Sequence, residues 1–447
     1  WSLSQKTARG EKMSKNLVGQ ENNVVSQSAE SGQNAESTQT GGKSLWEKVK
    51  GLLGTGQQSA LLGAAFLMFT SAIGPGFLMQ TTTFTKQYRD SFGFVILVVT
   101  FLSIFAQLNI WQIIAASRLR AQDVANKVLP GLGNVIAFFV SFGGLAFCLA
   151  HNAASALSMN ILFGLDYKIG SLVIGVIGIV VFLYKSIGVV VDKFCEVTGI
   201  FMLVTLLYLG LASHAPVGLA LKSTFMPHEL PFIAVTTLVG GTVGGFICFS
   251  GGHRLVDAGI VGQKNLRKVG GYATLAIVLT TIVRIMLFLA ALSAVVAGYK
   301  LDPENPAASV FSYVIGPAGA TLFAVLIFSE ALNSLVGAAY TSVSFLKTLS
   351  KTINSHERGS IVAFIALSTI LFEFIGQPVK VMIVSGTLNE LILPLALGAM
   401  LIAAHRKDIV GDYKHSRLMT VMGWVVVAIS GYMAIRSFGD IPKLWLE

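Results

Sequence analysis

The stretch Ser71-Ala72-Ile73-Gly74-Pro75-Gly76-Phe77 interrupts an apolar segment that would otherwise form one helix from about residue 59 to residue 80. Proline lacks the backbone N–H and clashes with the preceding helical turn, and glycine adopts positive φ at little steric cost. Non-helical backbone is tolerated at membrane depth only where it faces protein or a water-filled cavity. The stretch therefore predicts a break that adjoins something other than lipid.

The composition of the chain is that of an integral membrane protein. Of its 447 residues, 53% are hydrophobic and 12% are charged, and the mean hydropathy is +0.71. About a quarter of the residues of an ordinary soluble domain are charged, and a soluble core of this size cannot hide so much apolar surface. The formal net charge of +10 does not indicate a nucleic-acid partner, because basic residues gather in the loops on one side of the membrane.

Cysteine usage indicates neither a disulfide framework nor a zinc site. The three cysteines are Cys148, Cys195 and Cys248, all in apolar stretches and without a paired spacing. We expect buried, unreactive thiols.

Two segments precede the first apolar stretch. Residues 1–44 are rich in Ser, Gln, Asn, Gly and Glu, so we expect a disordered tail that buries too little apolar surface to fold. Met13 fits a natural start, in which case residues 1–12 are an extension. Residues 45–57 carry apolar side chains on one helical face and lysines on the other, which predicts a segment lying at the membrane interface.

Eleven apolar stretches predict eleven membrane-spanning helices. They cover residues 58–85, 92–117, 132–163, 169–185, 187–212, 231–260, 271–298, 308–346, 359–375, 379–404 and 416–437. If the N-terminus is cytoplasmic, most loop arginines and lysines face the cytoplasm, among them Arg118, Arg120, Lys264, Arg267, Lys347 and Arg406. The positive-inside rule therefore predicts a cytoplasmic N-terminus in the cell (inner) membrane and, with an odd number of spans, an external C-terminus.

A second interruption falls in the sixth stretch, where residues 240–245 read Gly-Gly-Thr-Val-Gly-Gly and lead into residues 248–253. Breaks in the first and sixth helices correspond if residues 58–212 and 231–404 are two five-helix repeats and residues 416–437 an extra helix. Because five is odd, the second repeat is inverted, as in transporters whose discontinuous helices line a site at the midplane. The alternative is that these glycines serve close helix packing. We expect residues 73–77 and 248–253 to be non-helical and to face each other across a cavity.

Several stretches together resemble the Nramp family of divalent metal-ion transporters, from about residue 60 to residue 412. Residues 73–77 are similar to the family's Asp-Pro-Gly-Asn break, and residues 160–164 close the third span as the family does. Residues 329–337 resemble its polar eighth helix, and residues 384–387 with 393–397 resemble its tenth. The resemblance implies an all-α fold with a LeuT-like inverted 5+5 repeat and discontinuous helices 1 and 6.

The chain departs from that family at the positions that hold the metal. The resemblance implies that the family's Asp, Asn, backbone carbonyl and Met correspond here to Gly74, Phe77, Ile247 and Ser250, and no methionine occurs between residues 231 and 262. A dehydrated divalent ion prefers charged oxygen or soft sulfur ligands, which glycine and phenylalanine do not supply. We therefore expect no tight site for dehydrated manganese or iron.

Proton coupling has four candidates in the sequence. The family's proton-linked residues of the third helix correspond to Cys148 and His151, and its sixth-helix histidine position reads Gly252, with His253 beside it. Histidine changes charge in the physiological range. Charged groups at membrane depth are costly and mark ion pathways, which makes Glu330 and Glu390 candidates as well. The alternatives are a hydrogen-bonding role for the histidines and structural pairing for the acids, for instance with Arg284. The remaining intramembrane acids are Asp192, Glu196, Asp257 and Glu373.

The sequence predicts a secondary transporter that works by alternating access. Half-helix ends in each break favour an anionic group at one side and a cation at the other. The predicted substrate-binding residues are Ser71, Gly74, Pro75, Gly76, Phe77, Ile247, Ser250, Gly251, Asn333 and Ser385. The resemblance implies a divalent cation, bound largely hydrated as magnesium tends to be; the alternative is a small carboxylate or amino-acid-like solute, with a channel or sensor more distant. Without a hydrolase, metalloprotease or nucleotide-binding motif, we expect neither an enzyme nor a cofactor.

Overall fold

The computed structural model describes residues 56–245, 247–347 and 349–446, and in these residues the regular structure is entirely helical. The helices are α1 (Gly56–Ala72), α2 (Pro75–Tyr88), α3 (Phe92–Ser117), α4 (Ala121–Val128), α5 (Leu132–Phe163), α6 (Tyr167–Leu183), α7 (Lys185–Ala212), α8 (Val217–Phe225), α9 (Phe232–Val243), α10 (Ile247–Asp257), α11 (Leu266–Val296), α12 (Pro306–Ile315), α13 (Ala318–Leu346), α14 (Lys351–Ser355), α15 (Glu357–Ile375), α16 (Pro378–Glu390), α17 (Leu393–Ala403), α18 (Lys407–Val410) and α19 (Arg417–Leu446). The predicted tail 1–44 lies outside the described residues, as does the interfacial segment 45–57 apart from its last two residues.

Each of the eleven predicted spans corresponds to a helix or to a pair of helices. Within the described residues, eight helical stretches are long and apolar enough to cross a membrane, or nine if the pair formed by α7 and α8, bent by 99°, counts as one span. The count is lower than eleven for two reasons. The helices α1 and α6 are short, and α2 and α3 run together as one stretch, Pro75–Ser117. The first and second predicted spans therefore share one helical stretch.

The first break is shorter than predicted. Residues 73 and 74 are non-helical, but Pro75 already occupies the first turn of α2, so the prediction of non-helical backbone over residues 73–77 is wrong for residues 75–77. The physical reason is that proline at a helix start loses no hydrogen bond and has its φ fixed near the helical value. Gly74 precedes it with extended backbone, φ −89° and ψ −178°.

The sixth-span break lies N-terminal to its predicted position. Residues 248–253 are helical within α10, so the prediction that they are non-helical is wrong. The helical path ends instead at Gly244 and Gly245, and Gly245 has a positive φ of 55°. The Gly-Gly pair at 251–252 is helical because α10 packs on an indole there: a Cβ at Gly251 would collide with the Trp111 ring.

Two further spans predicted as continuous are divided. The eighth span, predicted over residues 308–346, is split into α12 and α13 at Gly316, whose φ is 95°. The tenth, predicted over residues 379–404, is split into α16 and α17 around residues 391–392. Pro394 explains the second division, since it has no N–H to donate to the carbonyl of Glu390.

The third span, α5, is the centre of the helix packing, and it contacts α13 and α16 most extensively. Two adjacent glycines of α5 allow this approach. A side chain at Gly143 would collide with Asn389, and one at Gly144 with Ser342. Small residues permit close backbone contact between membrane helices. The free thiols of Cys148 and Cys248 are buried in this packing, as predicted.

Candidate functional site

A cavity of about 440 Å³ lies at the first break and extends along α5, α10 and α13. Gly74, Pro75, Gly76 and Phe77, which the sequence predicts to bind substrate, line it, and Phe249 and His253 of α10 line it as well. The two broken spans therefore border one cavity.

The start of α2 presents the backbone N–H of Gly76 to this cavity, because Pro75 has no N–H and that of Phe77 is bonded within the turn. No side chain caps the helix at Gly74, and the first backbone bond of the turn runs from Phe77 N to Gly74 O at 3.0 Å. The first N–H groups of a helix carry a partial positive charge and bind anions. Ser71 also lines the cavity, with its hydroxyl donating to Leu67 O at 2.6 Å.

His151 of α5 faces the first break from the opposite wall. Its side chain is buried, and Nε2 lies 3.7 Å from the position that a Cβ on Gly74 would occupy. The ring packs near Phe147, with centroids 6.3 Å apart. The absence of a side chain at Gly74 thus leaves room between the imidazole and the start of α2.

Glu330 is the predicted carboxylate that lines the cavity. It lies on α13, and the hydroxyl of Ser334, one helical turn later, donates to Oε1 at 3.0 Å. Donor and acceptor both lie on α13, so this hydrogen bond holds the carboxylate against the cavity wall. The other predicted carboxylate, Glu390, is not part of this wall.

The cavity opens at its α10 end. There Arg120 and Asp257 form an ion pair at 2.9 Å, with 43% and 57% of their side chains exposed. His253 lies just inside, where Nε2 accepts the N–H of Ala121 at 3.1 Å and the ring packs against Phe249 and Phe345. His253 thus joins α4 to α10. Asp257, named above among the intramembrane acids, is exposed at the end of α10.

Three predicted site residues lie away from the cavity wall. Ile247 is fully buried at the start of α10, Gly251 packs on Trp111, and Ser385 donates to Met382 O at 2.9 Å. Ser250 and Asn333 lie on α10 and α13, and their side chains are outside the described part of the chain. These five assignments remain predictions from the sequence.

Two side chains near the first break have roles that the sequence did not reveal. Arg284 of α11 is 2% exposed, and its guanidinium carbon lies 4.4 Å from the centroid of the Phe77 ring. Its Nη1 donates to Thr242 Oγ1 at 3.0 Å, whereas Nε and Nη2 have no hydrogen-bond partner in the described chain. The alternative in which an intramembrane acid pairs with Arg284 therefore has no ion pair to support it in the described chain. Gln80 lines the cavity and donates to Met382 O at 3.2 Å.

The described residues contain no group of three or more His, Cys, Asp or Glu side chains arranged to hold a metal ion. At the positions that correspond to the family's ligands, Gly74 contributes only backbone atoms and Phe77 an aromatic ring. Within the described part, the cavity instead combines the uncapped start of α2 with two imidazoles, two carboxylates and two guanidinium groups, those of His151, His253, Glu330, Asp257, Arg120 and Arg254.

Comparison with known proteins gives consistent results. The profile described as natural resistance-associated macrophage protein-like, Nramp, matches residues 65–439. The uncharacterized membrane protein YcsG of Bacillus subtilis is 48% identical over 391 residues, which are 87% of this chain and 97% of that protein. The crystal structure of the Eremococcus coleocola manganese transporter superposes with a TM-score of 0.66 at 15% identity, covering 90% of this chain and 89% of that one.

A second fold relative belongs to another transporter family. The nucleobase-cation-symport-1 family transporter Mhp1, in a closed conformation with bromovinylhydantoin bound, gives a TM-score of 0.56 at 13% identity, covering 86% of this chain and 92% of that one. The fold is therefore the all-α, LeuT-like fold of membrane transporters. Metal transport is the expectation at the level of the family.

Proposed function

Because the chain belongs to the Nramp-like family, whose members are membrane transporters, we propose that it is a secondary transporter that carries a small carboxylate-bearing solute by alternating access. The observation that carries this proposal is the buried guanidinium of Arg284 behind Phe77. It places a positive charge beside the position where the family holds a cation. A charge in a poorly hydrated interior acts strongly on its surroundings, so this site repels a divalent ion and attracts an anion.

The carboxylate of the solute binds at the start of α2. The N–H of Gly76 supplies a hydrogen bond, and the uncapped start of the helix supplies a favourable dipole. His151 Nε2 faces the same space and donates a hydrogen bond in the tautomer that protonates this nitrogen. Arg284 adds a longer-range attraction through the Phe77 ring. All three features favour a negative charge at one point of the cavity.

The remainder of the cavity suits an organic body. Phe77, Phe147, Phe249 and Phe345 contribute aromatic rings to a wall that encloses about 440 Å³. Small-molecule sites combine apolar walls with a few polar groups that fix orientation. Glu330 on α13 provides the second polar anchor, suited to an ammonium group or to a coupling proton.

The cavity opens towards the cytoplasm in this proposal. Arg120, Arg254 and Asp257 lie at its mouth, on the side where the loops carry most of the basic residues. The positive-inside rule assigns that side to the cytoplasm, with the N-terminus cytoplasmic and the chain in the cell membrane. The conformation is then the inward-open state of the cycle.

A divalent metal ion is the second candidate substrate. Family membership favours it, as does the fold shared with a manganese transporter. Glu330 is a hard oxygen ligand, and an ion that keeps most of its water, as magnesium does, needs few protein ligands. Against it stand Arg284 and the absence of acidic or sulfur side chains at Gly74 and Phe77.

A thermal-shift screen of the purified protein in detergent discriminates between the two. The panel contains L-phenylalanine, L-proline, benzoate, MnCl₂ and MgCl₂, with L-phenylalanine methyl ester as the control without a carboxylate. A ligand that binds only the folded state raises the Tm, by an amount that corresponds to about 2.7 kcal/mol at a hundred times its Kd. We expect a rise with at least one acid and none with its ester or the metals. A rise with metals alone contradicts the carboxylate proposal.

Two variants test the proposed binding residues. Arg284→Gln should weaken the shift produced by the acid because it removes the positive charge, and His151→Gln should weaken it because it displaces the hydrogen-bond donor that faces Gly74. His151→Gln keeps a hydrogen-bond donor and serves as the milder change. An unaltered shift in both variants refutes this placement of the carboxylate.

A further inference from the structure

Glu390 is a buried carboxylate without a partner. It is the last residue of α16, its exposed fraction is 0%, and neither Oε1 nor Oε2 has a hydrogen-bond partner in the described chain. An unpaired charge costs several kcal/mol to bury, whereas a neutral carboxyl group is far less costly. The described surroundings offer no cation to compensate a charge.

Glu390 lies at the junction between α16 and the second break. Glu390 ends α16, and the end of α9 lies against it: a Cβ on Gly240 would come within 2.7 Å of Glu390 N. Gly245 N, just past the end of α9, donates to Asn389 O at 3.2 Å. Glu390 is thus enclosed by the ends of α9 and α16, and this packing shields its carboxyl group from water.

The groups that face Glu390 do not supply a compensating charge. Arg284 bonds to Thr242, two residues along α9 from Gly240 and therefore on another face of that helix. The Cys248 thiol of α10 interacts with Glu390 electrostatically but carries no positive charge. The other titratable side chains described on helices packed against α16 form no hydrogen bond or ion pair with it: Lys86 and Tyr88 on α2, Cys148 and His151 on α5, and Arg417, Tyr432 and Arg436 on α19.

Gln80 connects this buried group to the cavity. Its side chain lines the cavity, donates to Met382 O of α16, and would collide with a Cβ on Gly386. Gly386 precedes Glu390 by four residues, a rise of about 6 Å along the helix. Oε1 of Gln80 also lies 2.7 Å from the position of a Cβ built on Gly241. The neighbouring residue, Gly240, is the one that packs against Glu390 N. One helical turn therefore separates the polar end of Gln80 from Glu390.

We propose that Glu390 holds the exchangeable proton of this transporter, at a site separate from the substrate cavity. In the conformation described, the carboxyl group is protonated and shielded. When the contact between α16 and the sixth-span break opens, water from the cavity reaches Glu390 past Gln80, the O–H bond breaks, and that water accepts the proton. The carboxylate then takes up a proton from water on the opposite side. The coupling of this proton to solute movement rests on the proposed function; the protonated state does not.

Infrared difference spectroscopy tests the protonated state without any substrate. The purified wild type at pH 7 should show the carbonyl stretch of a protonated carboxylic acid, with a shift to lower frequency in D₂O. Glu390→Gln should lose this band, whereas Glu373→Gln, altered at a partly exposed carboxylate on α15, should keep it. Gln80→Leu should keep the band and slow its D₂O shift at least tenfold. Gel filtration and Tm confirm that each variant is folded.

If the carbonyl band persists in Glu390→Gln, or disappears instead in Glu330→Gln, Glu390 is not the protonated carboxyl group. If the shift in D₂O is as fast in Gln80→Leu as in the wild type, the route between Glu390 and the cavity does not pass Gln80. Coupling is read in vesicles that contain pyranine: the two amino acids and the metals of the thermal-shift panel are added outside without benzoate, whose neutral acid crosses a bilayer unaided. The wild type should acidify the interior more than vesicles without protein do. Glu390→Gln should not acidify it, although its Tm still responds to the panel. Absence of acidification in the wild type, or acidification in Glu390→Gln, overturns the coupling role and leaves the substrate assignment untouched.

Discussion

The two breaks of this molecule have opposite surroundings. The first break, at Ile73 and Gly74, faces the cavity, and a Cβ added at Gly74 would make only an ordinary contact with His151. The second break, at Gly244 and Gly245, is filled by Asn389, whose side chain leaves no room for a Cβ at Gly245. The first break therefore has space for a ligand, whereas the second is a packed joint between α9, α10 and α16. We therefore associate ligand binding with the first break and conformational change with the second.

Gly245→Ala should give the largest loss of stability. Residue 245 has a φ of 55°, which costs a non-glycine residue 1–3 kcal/mol, and the new methyl group would collide with Asn389 Oδ1. We expect a destabilisation of about 2–4 kcal/mol, measured as a fall in Tm. Gly398→Ala on α17 is the control, since a Cβ there meets nothing within 4 Å. Equal Tm values for the two variants would show that the second break is not packed.

Trp111→Phe should give a smaller loss at the same break. The indole Nε1 donates to Cys248 O at 2.9 Å, in the first turn of α10, and phenylalanine removes the donor while keeping most of the ring. Gln107 Nε2 remains near that carbonyl at 3.4 Å, so the cost should be about 1 kcal/mol. Trp424→Phe, at a 43% exposed indole on α19, is the matched control. A Tm loss as large as that of Gly245→Ala contradicts this ranking.

The first break should respond in ligand binding instead. Gly74→Asp with Phe77→Asn restores the side chains that the family resemblance implies for metal, and the φ of −89° at residue 74 accepts aspartate without strain. We expect calorimetry to give a Kd for Mn²⁺ at least tenfold lower than in the wild type, about 1.4 kcal/mol. Thr341→Asp, elsewhere on the cavity wall, tests whether any added carboxylate suffices. Tight Mn²⁺ binding by the wild type would instead show that the first break holds a metal site without these two side chains.

The location of the two breaks shows how far the sequence alone can lead. Proline and glycine predicted that the first and sixth spans are interrupted, because their backbone preferences are local properties. The limits of each break were not local: Pro75 starts a helix, and Gly251 is helical because Trp111, far away in the chain, packs on it. Glycine has several structural uses, and only the tertiary contact distinguishes them.

The site was predicted to a similar extent. Gly74 and Phe77 were identified from the break and the family resemblance, His151 from that resemblance, and Glu330 as a carboxylate in an apolar stretch. All four line the cavity, and their roles in binding and coupling stay predictions. The roles of Arg284 and Gln80 depend on contacts that sequence spacing does not encode. Gln80, for example, bonds to a carbonyl 302 residues later in the chain. Long-range packing therefore decides which polar residues share the site.

Ser71→Ala should have the smallest effect on stability, and it completes the comparison. The Ser71 hydroxyl donates to Leu67 O, four residues earlier in the same helix, and that carbonyl also has the helical N–H of residue 71 as its partner. Alanine therefore leaves no buried group unsatisfied, and it favours the helix. We expect the free energy of unfolding to change by less than about 0.5 kcal/mol, read as Tm beside Trp111→Phe, which removes a hydrogen bond between helices at the second break. If Ser71→Ala lowers the Tm as much as Trp111→Phe does, hydrogen bonds at the first break also hold the fold together, and the division into a binding break and a packed joint is wrong.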